Sequence, residues 1–138
     1  THKNHPTAIW VRACPNHYQF AVEMGLALCQ EYTRRYGKIH KTQQHIERLA
    51  RMGPPPTAKE TYTPPVEKCA TAGLPDGIRF YHCAVTDDLF PQCARYTDGK
   101  LNAVETYRAY YQTKQWKMKW NRGKDNPPTW YGKNTLHV

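Results

Sequence analysis

The sequence predicts a mainly α-helical fold: a compact single domain over residues 1–138, broken by a long Pro-rich irregular insertion at 53–100. Three observations predict it. Apolar residues recur at helical intervals in four stretches, each bracketed by residues suited to starting or stopping a helix. Seven of the eleven prolines fall between Pro54 and Pro91, where a helix could not continue. A chain of 138 residues is the usual size of one domain and can bury a real core.

Pro6 suits the first position of a short helix through Ile9, Trp10 and Val11, with Arg12 on the same turn, and Pro15 ends it. Asn16 is placed to cap the next helix, with Gln19 in the box position, and Gly37 supplies a left-handed stop after Tyr36. Its apolar stripe (Tyr18, Val22, Gly25, Leu28, Cys29, Tyr32), with Phe20 and Met24 alongside, is wide enough to predict a central helix. A third helix is expected after Thr42, through Ile46, Leu49 and Met52 to Gly53. The middle then reads as turns and extended chain, with one short strand over 78–85. Asn102 caps a last helix in which Val104, Tyr107, Tyr111 and Met118 would face the core, and Pro127-Pro128 stops it.

The net charge of +9 is unevenly spread. Residues 1–52 carry eight Lys/Arg against three acids, 101–138 carry seven against two, and 53–100 carry five against six. Two basic ends that come together would form one positive surface, the footprint of a polyanion partner. No basic amphipathic segment ends in an apolar anchor, which argues against a membrane surface. Neither a signal peptide nor an apolar run long enough to span a bilayer is present. Five cysteines, an odd number without a C-x-x-C pair, read as mostly reduced thiols of an intracellular protein in host cytoplasm or nucleoid. The chain opens at Thr1 without Met, so either a Met was removed or Thr1 is a fragment start.

The functional signal is a mixture of cations and flat rings. Arg108, Lys114, Lys117, Lys119 and Arg122 alternate with Trp116 and Trp120, and Trp130 and Tyr131 follow. Phosphates call for the former and bases for the latter. The bland alternative is a solvated helix face with core aromatics; two tryptophans four apart among lysines favour nucleic acid. At the other end, His2, Lys3, Arg12, Arg34, Arg35 and Lys38 supply further cations. For metals, His2/His5, His40/His45 and the Cys69, His82, Cys83, Cys93 group lack finger or ribbon spacing, so no metal and no cofactor are expected. Glycine motifs that cradle phosphate are missing, which argues against nucleotide hydrolysis. Glu23 sits among apolar neighbours; buried, it would have a raised pKa, and otherwise it points to solvent or pairs with Arg12 or Arg34. Thr1 offers an α-amine, whose reference pKa of about 7.7–8.0 leaves part of it nucleophilic at neutral pH.

The ending Pro128-Thr129-Trp130-Tyr131-Gly132-Lys133, with Thr1 in front and Glu23 on the first long helix, resembles the phage pyrimidine-dimer DNA glycosylase (endonuclease V) family. The resemblance implies a compact helical domain whose N-terminal amine attacks the sugar C1′. Carried over, Thr1 would be the nucleophile and Glu23 the acid/base, with Trp130, Tyr131 and Lys133 on DNA. The segments THKNHPTAIWVR, EYTRRYGKIHK and AVETYRAYYQTKQWKMKW are also similar to a group of uncharacterised small phage proteins, in which another segment precedes THKNHP and would place Thr1 internally. The expectation is therefore a DNA-binding protein of a phage or other DNA virus, acting on duplex DNA, damaged or modified duplex included, as a glycosylase/AP lyase. The alternatives are a non-catalytic nucleic-acid-binding protein and a virion component.

Overall fold

The computed structural model describes residues 2–58, 67–114 and 127–131. Five helices hold about half of these residues and the strands are few and short, so the chain is mainly helical. Where the sequence led us to expect one domain, the described residues fall into two compact units: 2–58, and 67–114 with 127–131. Met118, expected on the core face of the last helix, lies outside the described residues.

The first unit is three helices: α1 (Pro6–Ala13), α2 (Pro15–Tyr36) and α3 (Gln43–Met52). Helix α1 opens as its sequence predicts, with Pro6 in the first turn, and its cap is the His5 imidazole, whose Nδ1 accepts from the Thr7 N–H at 3.1 Å. The expected Asn16 cap of α2 is corrected: the helix opens at Pro15. A residue before proline is driven out of the helical region, so Cys14 is extended (φ −138°, ψ 145°), and Pro15 restarts the helix at once with its φ preset and no N–H to cap. Asn16 instead accepts from the His17 N–H. The predicted stop holds: Gly37 is left-handed (φ 72°) and donates to the Thr33 carbonyl at 2.8 Å.

The core of this unit was only partly foreseen. Trp10 is buried and stacks on His17, with ring centroids 4.0 Å apart and planes 10° from parallel, while Phe20 meets it edge-on. His17 Nδ1 lies 2.9 Å from the Trp10 carbonyl, and burial pushes the imidazole pKa below its ordinary value. Gly25 lets α3 approach, since a Cβ there would sit 3.0 Å from Ile46 Cδ1. Helix α2 is central to this unit, as expected, since both α1 and α3 pack on it, but its apolar face is only partly covered: Met24 and Leu28 are 46% and 64% exposed. Flanking helices of 8 and 10 residues cannot cover all sides of one of 22.

The second unit is built from two small antiparallel ladders and a helix. Strands β1 (Cys69–Ala70) and β2 (Tyr81–His82) pair with Cys69 opposite His82. A short α4 (Phe90–Cys93) leads to the hairpin of β3 (Tyr96–Thr97) and β4 (Lys100–Leu101). Its turn residues Asp98 and Gly99 both have positive φ, 53° and 77°, as a two-residue hairpin loop demands. Helix α5 (Ala103–Gln112) follows directly, and Asn102 caps it as expected, accepting from the Glu105 N–H at 3.0 Å. The insertion expected to be irregular thus supplies part of the core: its Ala70 and Cys83 are buried together with Leu101 and Ala103, against Tyr81, Phe90 and Tyr107. The single strand expected over 78–85 shrinks to Tyr81–His82, with Ile78 and Val85 buried outside the ladder.

The face of α5 is the clearest correction. Val104 and Tyr111, assigned to the core by their spacing, are 42% and 38% exposed, and the buried positions are Ala103, Thr106 and Gln112. Besides Tyr107, the helix is docked by hydrogen bonds and small side chains. Thr106 Oγ1 accepts from the Arg95 N–H at 3.1 Å, and the Tyr107 hydroxyl accepts from the Ala84 N–H at 2.8 Å.

Candidate nucleic-acid interface

Within the second unit, Glu105, Arg108, Ala109 and Gln112 stand at i, i+3, i+4 and i+7 on α5, one stripe of the helix. They form one wall of a cleft of about 290 Å³. Gln92 and Cys93 of α4, Arg95, Thr113 and Trp130 complete its lining. Ala109, the smallest residue of the stripe, leaves the space open between its longer neighbours.

Trp130 is fixed from several sides. The Gln112 amide donates to its carbonyl at 2.7 Å, and the next residue, Tyr131, donates its N–H to the Pro128 carbonyl at 3.0 Å. The Tyr131 ring is buried and meets the indole edge-on, at 86° and 5.8 Å. Tyr131 was expected to contact DNA, but its burial makes it a brace for Trp130. The Arg108 guanidinium lies over the Trp130 ring, 5.3 Å from its centroid. Its other tether is weak: Arg108 Nη1 is 4.0 Å from Glu105 Oε1, and both side chains are about half exposed, so solvent screens the pair.

Arg95, which also lines the cleft, carries no local signal in the sequence. Its backbone N–H is held by Thr106, and its Nη1 donates to the Gln92 carbonyl at 2.8 Å. Two guanidiniums and an indole therefore converge on one small space. Lys114 lies near the end of the helix with its ammonium 4.6 Å from the Tyr110 ring centroid. A second cleft of about 460 Å³ includes Lys68, but Asp87 and the Val85 carbonyl already hold that ammonium. The arginine cleft is the better anion site, because Arg108, unlike Lys68 and Arg95, is bonded to no carbonyl among the hydrogen bonds described.

The cations of the first unit are placed differently. Arg12 donates to the Lys3 carbonyl, beside His2. Arg34 and Arg35 both bind Glu31, whose carboxyl they hold down at about 2, Arg34 contributing most. One carboxylate thus offsets part of that basic cluster, while Lys38 is exposed. Glu23 is neither buried nor bonded to Arg12 or Arg34 among the hydrogen bonds described. It is exposed, and its Oε1 accepts from Gln19 at 3.1 Å. Thr1, Trp116, Lys117, Lys119, Trp120, Arg122 and Lys133 lie outside the described residues.

The five cysteines are free thiols, and burial raises Cys83 to about 12, with Cys69 adding to the shift. Among the described residues, no three His, Cys, Asp or Glu side chains are grouped to hold a metal ion, and no helix is long and apolar enough to cross a membrane. No protein family, curated protein or solved structure is matched by this chain.

Proposed function

We propose that this chain is a DNA-binding protein of a phage or other DNA virus, and that the α5 cleft is part of its binding surface. The observation that carries the reading is the placement of Arg108 over Trp130 in a cleft that Arg95 also lines. Guanidiniums bind phosphate oxygens through paired N–H donors, and an indole face stacks on any base. The exposed Lys3, Arg12 and Lys38 of the first unit add charge of the same sign. Affinity for a DNA oligomer measured across salt concentrations tests it. The log–log slope should fall by about 0.9 per phosphate contacted, and a flat response removes the reading.

A glycosylase/AP-lyase activity is the second reading. It rests on the resemblance of the two ends of the chain to that family, with Glu23 exposed on the surface of α2. In that chemistry the Thr1 amine adds to C1′ as the base leaves, and Glu23 moves the proton lost in elimination. Borohydride trapping on abasic duplex tests it. A covalent adduct that disappears when the N-terminus is acetylated supports the lyase, and no adduct removes it.

A further inference from the structure

We propose that the α5 cleft receives one unpaired nucleotide, with its base stacked on Trp130 and its phosphate between Arg95 and Arg108, so that the chain prefers single-stranded or extrahelical nucleotides to intact duplex. This rests on the nucleic-acid reading above and narrows its substrate class.

Size is the first argument. A space of about 290 Å³ lies at the small end of ligand sites, roughly 300–1,000 Å³, which suits one nucleotide and not the groove of a helix. Position is the second. Trp130 is half-buried in the wall of the cleft, held by Gln112 and braced by Tyr131, and it does not project from a convex surface. A ring so placed cannot reach a base that remains in its own stack; the base must come to the ring. The third argument is the looseness of Arg108. Both Arg108 and Trp130 line the cleft, and the guanidinium lies over the indole, 5.3 Å from its centroid. Arg108 is otherwise tethered only by the screened Glu105 contact at 4.0 Å among the ion pairs described. An incoming base takes its place on the indole, and the guanidinium swings to the phosphate attached to that base. Ala109 provides the room for the exchange, and Arg95, tied to the Gln92 and Ala94 carbonyls, is the fixed cation.

This arrangement separates the roles of two residues that touch each other. Trp130 serves the base and Arg108 serves the phosphate. The test uses the full chain with three fluorescent probes of equal length: an oligothymidylate, the same strand with abasic sites throughout, and a duplex. The expected result is that oligothymidylate binds about tenfold more tightly than either other probe. Trp130→Ala should erase that preference without altering the salt slope, whereas Arg108→Ala should weaken oligothymidylate and abasic strand alike and reduce the slope by about one. Trp130→Phe should restore most of the preference, and Ala109→Leu, which fills the cleft with every charge kept, should abolish it; both guard against an unfolded Trp130→Ala. Equal affinity for the three probes, or a preference that survives Ala109→Leu, overturns the cleft assignment while DNA binding stands. No salt-sensitive binding to any probe overturns both.

Discussion

The side chain of Asn102 lies against the backbone of Gly73, so closely that a Cβ on Gly73 would stand 2.1 Å from Asn102 Oδ1. The same oxygen accepts from the Glu105 N–H to cap α5, and Asn102 Nδ2 donates to Thr97 at 3.1 Å. A parallel bridge between Ala72 and Asn102 continues the junction, with the Ala103 N–H donating to the Ala72 carbonyl at 2.9 Å. One asparagine thus joins the start of the helix, the β3–β4 hairpin and the 71–73 segment. Gly73→Ala should evict it. The cost combines a left-handed backbone (φ 70°) with loss of the cap, about 2–3 kcal/mol in all. Urea denaturation measures it. Because the lost cap runs through the Asn102 side chain, Gly73→Ala should cost less in an Asn102→Ala background, a non-additivity that a double-mutant cycle reads directly.

Tyr107 gives a second prediction. Its hydroxyl accepts from the Ala84 N–H at 2.8 Å and meets the Tyr81 hydroxyl at 3.5 Å, and burial drives its pKa well above that of a free phenol. Tyr107→Phe keeps the ring and strips the acceptor from a part-buried backbone donor. The expected loss is about 1–3 kcal/mol, and the Ala84 amide should exchange with solvent faster than in the parent protein. Unchanged exchange at Ala84 would contradict the assigned bond.

Glu31 makes the third, and its sign follows from the direction of the shift. Arg34, then Arg35, lower its carboxyl from 4.5 to about 2. A carboxyl lowered in the folded state adds stability that is present above its unfolded value of 4.5 and lost as pH falls through about 2. An NMR titration of the Glu31 carboxyl should therefore show a midpoint far below that of an ordinary glutamate. Arg34→Gln should raise the midpoint more than Arg35→Gln does. At about 1 M salt the Debye length is near 3 Å, so the shift should shrink at this exposed site.

Local chemistry was legible in the sequence, and long-range placement was not. Pro6, Gly37 and Asn102 act on their own neighbours, and each does what its residue type predicts. Pro15 ends α1 as its residue type predicts, but it also starts α2, because a proline stops one helix and starts the next with equal ease and the immediate restart leaves no loop to see. Val104 and Tyr111 were assigned to the core because large apolar residues outweigh Thr106 and Gln112 in a hydrophobic stripe, yet the helix docks through the hydrogen bonds of those two. Of the cleft, Arg108 and Trp130 stood out as a cation and a ring. Arg95 carried no local signal, since the Thr106 contact that places it spans eleven positions in the chain. Gln92 and Gln112 are ordinary helix residues until the cleft gives their spacing a meaning.

The last prediction concerns that tether. Gln112 is 5% exposed, and its amide donates to the Trp130 carbonyl at 2.7 Å. Gln112→Ala removes the donor and leaves the Trp130 carbonyl without it, a loss of about 1–3 kcal/mol if the segment stays docked. Undocking is the less costly response for a segment at the edge of a small unit, so the effect should be local. Hydrogen exchange should rise at Tyr131, whose N–H closes the turn onto the Pro128 carbonyl, while amides of α2 in the other unit keep their rates. A ring that is no longer held must be ordered again by each ligand, so affinity for single strands should fall with Gln112→Ala even though no charge and no aromatic group has been removed. Gln112→Glu makes the complementary case: it keeps the length but sets a carboxylate oxygen where the donor was, against the Trp130 carbonyl, and should weaken strand binding at least as much as the alanine variant at neutral pH. An alanine variant with parental exchange at Tyr131 and parental affinity would show that the tether does not position the indole.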